Sequence, residues 1–182
     1  MNPANPARKY PFRWELLGNL RLGRPNLGPI TSLYAYRLMV YTFRDVLEQT
    51  LGTEQADRIF YDAGRLAGKQ FYQNALKPTG SLSEFIRELT SALREWGMGI
   101  LRIEKLDLEN GEIILTVSED LDCSGLPELD YEVCVYDEGF ICGLLESYTG
   151  SPFRVEEIDC WCSGDRTCRF RAEVVSLPAF AA

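Results

Sequence analysis

The sequence predicts an α+β domain in which helices lead, antiparallel strands follow, and one helix is inserted among the strands. Three observations predict it. Apolar residues recur at helical spacing through three segments between residues 30 and 96. The period then changes to alternation at Ile100, with Asn110-Gly111 marking a hairpin turn. Helical spacing returns once, through Phe140, Leu144 and Tyr148, before two further alternating runs.

Residues 1–27 carry Pro3, Pro6, Pro11 and Pro25 and read as an extended arm, with Phe12, Trp14 and Leu16 as docking points. The domain proper runs over 28–176, and 177–182 is a tail. The first helix is expected to begin near Pro29 and to stop at Gly52. Leu33, Leu38, Met39, Val40, Phe43, Val46, Leu47 and Leu51 cover more than one of its faces, so it should be buried on two sides, in a thick core or at a subunit contact. Thr53 should cap the second helix, whose apolar face is Ile59, Phe60, Ala63, Leu66, Ala67 and Phe71. Gly64 and Gly68, one turn apart, would let another backbone approach closely. Ser81 and Glu84 form a capping box for the third helix, which Gly97 ends.

"ILRIEKLDL" and "EIILTVSE" are then a hairpin, "EGFICGLLESYTG" is the inserted helix stopped by Gly150, and "PFRVEEID" and "TCRFRAEV" are the last two strands. In the final strand Cys168, Phe170, Ala172 and Val174 share one face, while Arg169, Arg171 and Glu173 share the other.

The 182 residues fit one domain, and 46% hydrophobic content suffices for a packed core. No apolar run is long enough to span a membrane, and the N-terminus lacks a signal-peptide core. The expected location is cytoplasmic, where six cysteines stay reduced and metal binding or catalysis outranks a disulfide scaffold. The net charge is −8, concentrated between Ile100 and Phe140, which disfavours nucleic acid and anionic membrane as partners. The chain has no histidine. That removes Ser-His-Asp and Cys-His nucleophiles, His-bearing zinc sites and the usual proximal haem ligand.

Two motif mimics carry no function. "GMGILR" precedes a strand instead of linking strand to helix, so it is no dinucleotide fingerprint. "DLDCSGLPELDYE" places Asp120, Asp122, Ser124 and Gly125 like the start of a calcium loop, but Tyr131 stands where the bidentate Glu belongs. It reads as an acidic surface turn. The cysteines of "EEIDCWCSGDRTCRF" leave three readings open: a metal clamp, a redox dithiol, or small buried hydrophobes. A C-x-x-C motif at a helix start, the usual device for lowering a thiol pKa, is missing.

The stretches "RPNLGPITSLYAYRLM", "YDAGRLAGKQF", "DLDCSGLPELDYEVCVYDEGFICGLLESYTG" and "VEEIDCWCSGDRTCRF" make the chain from about Arg24 to Val174 resemble the 4-vinyl reductase domain family, which are small-molecule or hydrocarbon-binding proteins. That family includes the ligand-sensing domains of phenol-responsive activators and a protein implicated in bacteriochlorophyll synthesis. It shares its fold with TRAPP trafficking subunits and NO-sensing haem domains. The resemblance implies a structural zinc ion held by Cys134, Glu157, Cys160 and Cys168, with Cys162 as an extra and Cys123 as a second candidate ligand. The sensors hold the phenol hydroxyl with a His, which this chain lacks, so phenol does not carry over as the ligand. Haem by the proximal-His route is excluded in the same way.

The resulting expectation is a non-catalytic module enclosing an apolar or aromatic small molecule between helices and sheet. Periodicity nominates Phe60, Phe85, Leu89, Trp96, Ile113, Leu115 and Val155 as lining. A tetrapyrrole carrier or assembly factor in (bacterio)chlorophyll metabolism or photosystem biogenesis is the alternative, and an adaptor resembling TRAPP subunits a second. The sequence offers no NAD(P)H or flavin site for a reductase acting alone. A homodimer through the N-terminal helices, including Ile30 to Leu51, is also expected.

Overall fold

The computed structural model describes residues 9–77, 80–107, 110–129 and 131–175; the expected tail at 177–182 lies outside them. Its order is a single turn of 3₁₀ helix at Trp14–Leu17, then α1 (Leu20–Gly23), α2 (Leu33–Leu51), α3 (Thr53–Asn74), α4 (Leu82–Glu95), β1 (Ile100–Asp107), β2 (Glu112–Ser118), α5 (Val135–Thr149), β3 (Phe153–Asp159) and β4 (Cys168–Val174). The four strands form one antiparallel sheet in the order β1-β2-β4-β3. The expected α+β architecture, with its inserted helix, is what forms.

Several boundaries move for local reasons. α2 begins at Leu33, not near Pro29, because the Ser32 hydroxyl accepts the Tyr34 N–H and supplies the cap. Thr53 is the first residue of α3, with Gly52 outside it, so it is not a cap. Ser81 does cap α4, accepting the Glu84 N–H at 3.3 Å. α5 starts three residues before the expected Glu138 and ends on Gly150 in the left-handed conformation. The arm is not simply extended, since it contains two short helical turns. Trp14 stacks toward Trp96 with ring centroids 6.0 Å apart, while Phe12 and Leu16 stay exposed.

α5 is the buried centre of the molecule. Every residue from Gly139 to Leu145 is buried, and the helix is apolar all round because it lies between α3 and the sheet. The α3 partner face is Ala56, Gly64, Gly68 and Phe71; of the residues expected there, Ile59 and Leu66 are exposed instead. A Cβ on Gly64 would lie 2.0 Å from the Tyr136 carbonyl oxygen, and one on Gly68 2.1 Å from that of Phe140. The contact is reciprocal: a Cβ on Gly139 would meet the Tyr61 carbonyl at 2.1 Å, and one on Gly143 the Arg65 carbonyl at 2.2 Å. The close approach predicted for Gly64 and Gly68 is therefore made, with α5 as the partner. Above it, Arg65 grips Glu146 through two hydrogen bonds of 2.7 and 2.9 Å, and Lys69 adds a third contact at 2.9 Å. Burial alone would raise the Glu146 pKa, but the two cations hold it below its ordinary value.

α2 is the opposite case. None of its residues is buried, and Leu38, Met39, Phe43 and Val46 are all more than half exposed. The expectation of burial on two sides is not met within one chain.

Candidate functional site

Four thiols converge where β2 gives way to the following loop, where α5 begins, and where β3 and β4 meet. The sulfur atoms of Cys123, Cys134, Cys160 and Cys168 all lie within 4.8 Å of one another, and each residue is fully buried. Cys134 Sγ stands 3.9 Å from Cys160 Sγ and 3.7 Å from Cys168 Sγ, while Cys123 and Cys168 approach to 3.0 Å. A tetrahedron of Zn–S bonds near 2.3 Å would set sulfurs roughly 3.8 Å apart, so the spacing fits a thiolate-held ion. Alternation delivers Cys168, whose strand buries Cys168, Phe170 and Ala172 in turn. Cys160 ends β3, and the next three residues form a 3₁₀ turn that carries Cys162 out of the strand. Cys162 is buried too, but outside the four-sulfur group; its carbonyl accepts the Leu129 N–H at 2.7 Å and ties the loop down.

Of the four residues expected to hold metal, Cys134, Cys160 and Cys168 come together, and Cys123 joins them. Glu157 lies against the group. It shares the inward face of β3 with Phe153 and Val155, is 4% exposed, and neither carboxyl oxygen has a hydrogen-bond partner. Burial, then the charge of Cys160, pushes its pKa up to about 9. The thiols themselves divide. Contacts among the sulfurs, those with Cys123 first, drive Cys160 down and Cys134 and Cys168 up. Four buried thiols and an orphaned carboxyl in contact are costly without a cation, so the donor set suits a metal.

Cys123 is only a secondary candidate in the sequence because nothing in "DLDCSGLP" shows where that loop goes. The answer lies on α2. Tyr36 donates its hydroxyl hydrogen to Asp122 at 2.6 Å, Tyr41 donates to the Asp122 carbonyl at 3.0 Å, and Arg37 donates to the carbonyls of Leu121 and Ser124 at 2.9 and 3.0 Å. The loop is thereby pulled in, and the acidic surface turn expected there is wrong: Asp120 and Asp122 are buried, at 4% and 8% exposure. Asp120 Oδ1 accepts the N–H groups of Asp122 and Cys123 at 2.8 and 3.0 Å, which orients the cysteine inward. Burial, reinforced by Asp122, raises the Asp120 pKa to about 7.

A cavity lies beside the thiols, between α4, α5 and the β1–β2 half of the sheet. It offers about 60 Å³ to the centres of water-sized spheres, several times the roughly 10–15 Å³ that one water needs. Phe85 and Leu89 line it from α4, Ile113 and Leu115 from β2, and Phe140 and Leu144 from α5. Phe60, also nominated from the sequence, instead lines a cleft between α2 and α3, facing Phe43 with ring centroids 6.3 Å apart. Trp96 is half exposed against Phe71, and Val155 is buried on β3 away from the cavity wall. The cavity's carboxyls, Asp120 and Asp137, sit at the thiol end and have no counterpart in the sequence reading.

Residues 113–174, the stretch holding every candidate metal ligand except the loop's Cys123 outside any strand or helix, match the model of the 4-vinyl reductase domain, and the resemblance read from the sequence is borne out. Three uncharacterized proteins of Methanocaldococcus jannaschii are similar. One is 26% identical over 82% of this chain and 78% of its own length. The others are 30% and 31% identical over about half of this chain, which spans 53% and 46% of their lengths. Among solved structures, the phenol-responsive sensory domain of the transcription activator PoxR, crystallised with phenol, superposes with a TM-score of 0.63 at 16% identity, covering 79% of this chain and 75% of that one. A vinyl-4-reductase family protein from Methanocaldococcus jannaschii gives 0.60 at 18% identity, covering 82% and 85%. A trafficking protein particle complex subunit 3 from Naegleria fowleri, covalently bound to palmitic acid, gives 0.56 at 13% identity, covering 80% and 98%. These likenesses show the fold. Among the described residues no helix is long and apolar enough to cross a membrane.

Proposed function

We propose that the protein binds an apolar or aromatic small molecule in the cavity between α4, α5 and the hairpin, without transforming it, and that a zinc ion at the thiol cluster fixes the surrounding frame. The observation that carries the first part is an apolar cavity within the core. The match to the 4-vinyl reductase domain and the fold shared with a phenol-sensing domain support it. Toluene is the simplest probe. It should bind the purified protein measurably by calorimetry, and Leu89→Phe, which fills the cavity from α4, should weaken binding about tenfold, a loss of about 1.4 kcal/mol. Heat of dilution alone, in protein verified to carry no retained ligand, would refute the reading.

The zinc would be held by Cys134, Cys160 and Cys168 with Cys123 as the fourth ligand. A closed four-thiolate site is structural: the ion would tie the start of α5 to the ends of β3 and β4 and leave no position for substrate. Glu157 lies beside the ligands. Cys134→Ser, Cys160→Ser and Cys123→Ser should each lower zinc content and melting temperature together, whereas Cys162→Ser should change neither. Glu157→Gln should keep the metal. Loss of zinc in Glu157→Gln with retention in Cys123→Ser would instead make the carboxylate the fourth ligand, as the sequence pattern implies. Zinc-free protein from a preparation made without chelator would remove the site altogether.

The bare face of α2 is best explained by a second copy of the chain. Leu38, Met39, Phe43 and Val46, continued by Ile59 and Leu66 of α3, expose more contiguous apolar surface than a monomer keeps in water. Light scattering at micromolar concentration should give twice the chain mass, and Met39→Glu should halve it. A single-chain mass for the unaltered protein would contradict the assignment.

A further inference from the structure

The thiol end of the cavity has a chemistry of its own. Asp120 reaches it from the loop after β2, and Asp137 from the first turn of α5. Part of the Asp137 side chain is accessible, but its Oδ2 is fully enclosed and has no hydrogen-bond partner. Asp120 cannot turn to help, because its Oδ1 is fixed by the N–H groups of Asp122 and Cys123. No lysine or arginine lines the cavity. Arg37 of α2, which reaches the same loop, is committed to the carbonyls of Leu121 and Ser124. The ionisable neighbours that act on Asp137 are all potential anions: Asp120, Asp122, Glu157 and Cys168. A zinc ion would not reverse this, since four thiolates outweigh its two charges. The wall is otherwise apolar. Such a cavity repels an anionic head and leaves a neutral one with an uncompensated neighbour. A buried carboxylate is tolerated when a cation donates hydrogen bonds to it.

We propose that the cavity is a site for a small apolar amine, with its hydrocarbon or aromatic body among Phe85, Leu89, Leu115 and Phe140 and its ammonium donating to Asp137 Oδ2 beside Asp120. This assignment rests on the cavity reading above and adds the head group to it.

The test compares probes with one ring and different heads on zinc-loaded protein: benzylamine, benzyl alcohol, toluene and benzoate, titrated at neutral pH. Benzylamine should bind at least tenfold more tightly than toluene, benzyl alcohol should fall between them, and benzoate should not bind. Asp137→Asn, close in shape, should cost benzylamine at least tenfold and leave toluene within about twofold. Toluene binding as tightly as benzylamine to the unaltered protein would overturn the amine assignment while leaving the apolar cavity standing. Benzyl alcohol matching or exceeding benzylamine would overturn it in favour of a neutral donor. A second metal ion per chain that benzylamine fails to displace would overturn it by assigning Asp120, Cys134 and Asp137 to that ion. Binding by none of the probes would overturn both readings. Because the comparison among probes uses the unaltered protein, it decides the matter even if Asp137→Asn fails to fold.

Discussion

The contact between α3 and α5 is the constraint on which the rest of the molecule depends. Four glycines, two on each helix, let each backbone press against the carbonyls of the other. At that separation α5 can sit between α3 and the sheet, and its apolar surface is buried all round from Gly139 to Leu145. The ion pairs from Arg65 and Lys69 to Glu146 hold the other end of the same interface. A thicker contact would move α5 outward, and with it the two groups at its start: Cys134 in the thiol cluster and Asp137 at the cavity.

Both sites are thus assembled at one junction from distant parts of the chain. β3 brings Glu157 and leads into Cys160, β4 brings Cys168, and the loop after β2 brings Asp120 and Cys123. The loop does not hold itself in place. Tyr36, Arg37 and Tyr41 of α2 fasten it, so a helix with no buried residue still contributes to the site by hydrogen bonds. Gathering so many acidic groups is costly unless charge is matched. A zinc ion at the thiols and a ligand cation at the carboxyl that faces the cavity would each supply that match.

Much of this is legible where the signal is local. The hairpin at Asn110-Gly111, the Ser81 cap, the Gly150 stop and the inward turn of Cys168 follow from short-range geometry, and each is found. Gly64 and Gly68 announce a close partner, but Gly139 and Gly143 gain meaning only beside them. Helical spacing places Ile59 and Leu66 on a buried face, yet the side that packs is the one carrying the glycines. Asp120, Asp122 and Cys123 are misread from sequence because nothing near them reveals that α2, some 80 positions earlier, pulls their loop into the core. Spacing can bring out Cys134, Cys160 and Cys168 because strand ends and a helix start fix them. It cannot weigh Glu157 against Cys123.

Chemical denaturation of Gly143→Ala tests the central claim most directly, because two principles give it opposite signs. On helix propensity alone, alanine for glycine inside α5 stabilises by about 1 kcal/mol. The new Cβ, however, would lie 2.2 Å from the Arg65 carbonyl oxygen, an atom of the facing backbone that cannot rotate aside. Overpacking of this kind costs about 1–3 kcal/mol and sometimes more. A net loss of about 1–2 kcal/mol or greater, seen as a lower denaturation midpoint at unchanged slope, is the predicted result. An unchanged or raised midpoint would contradict the claim that the glycine contact sets the position of α5.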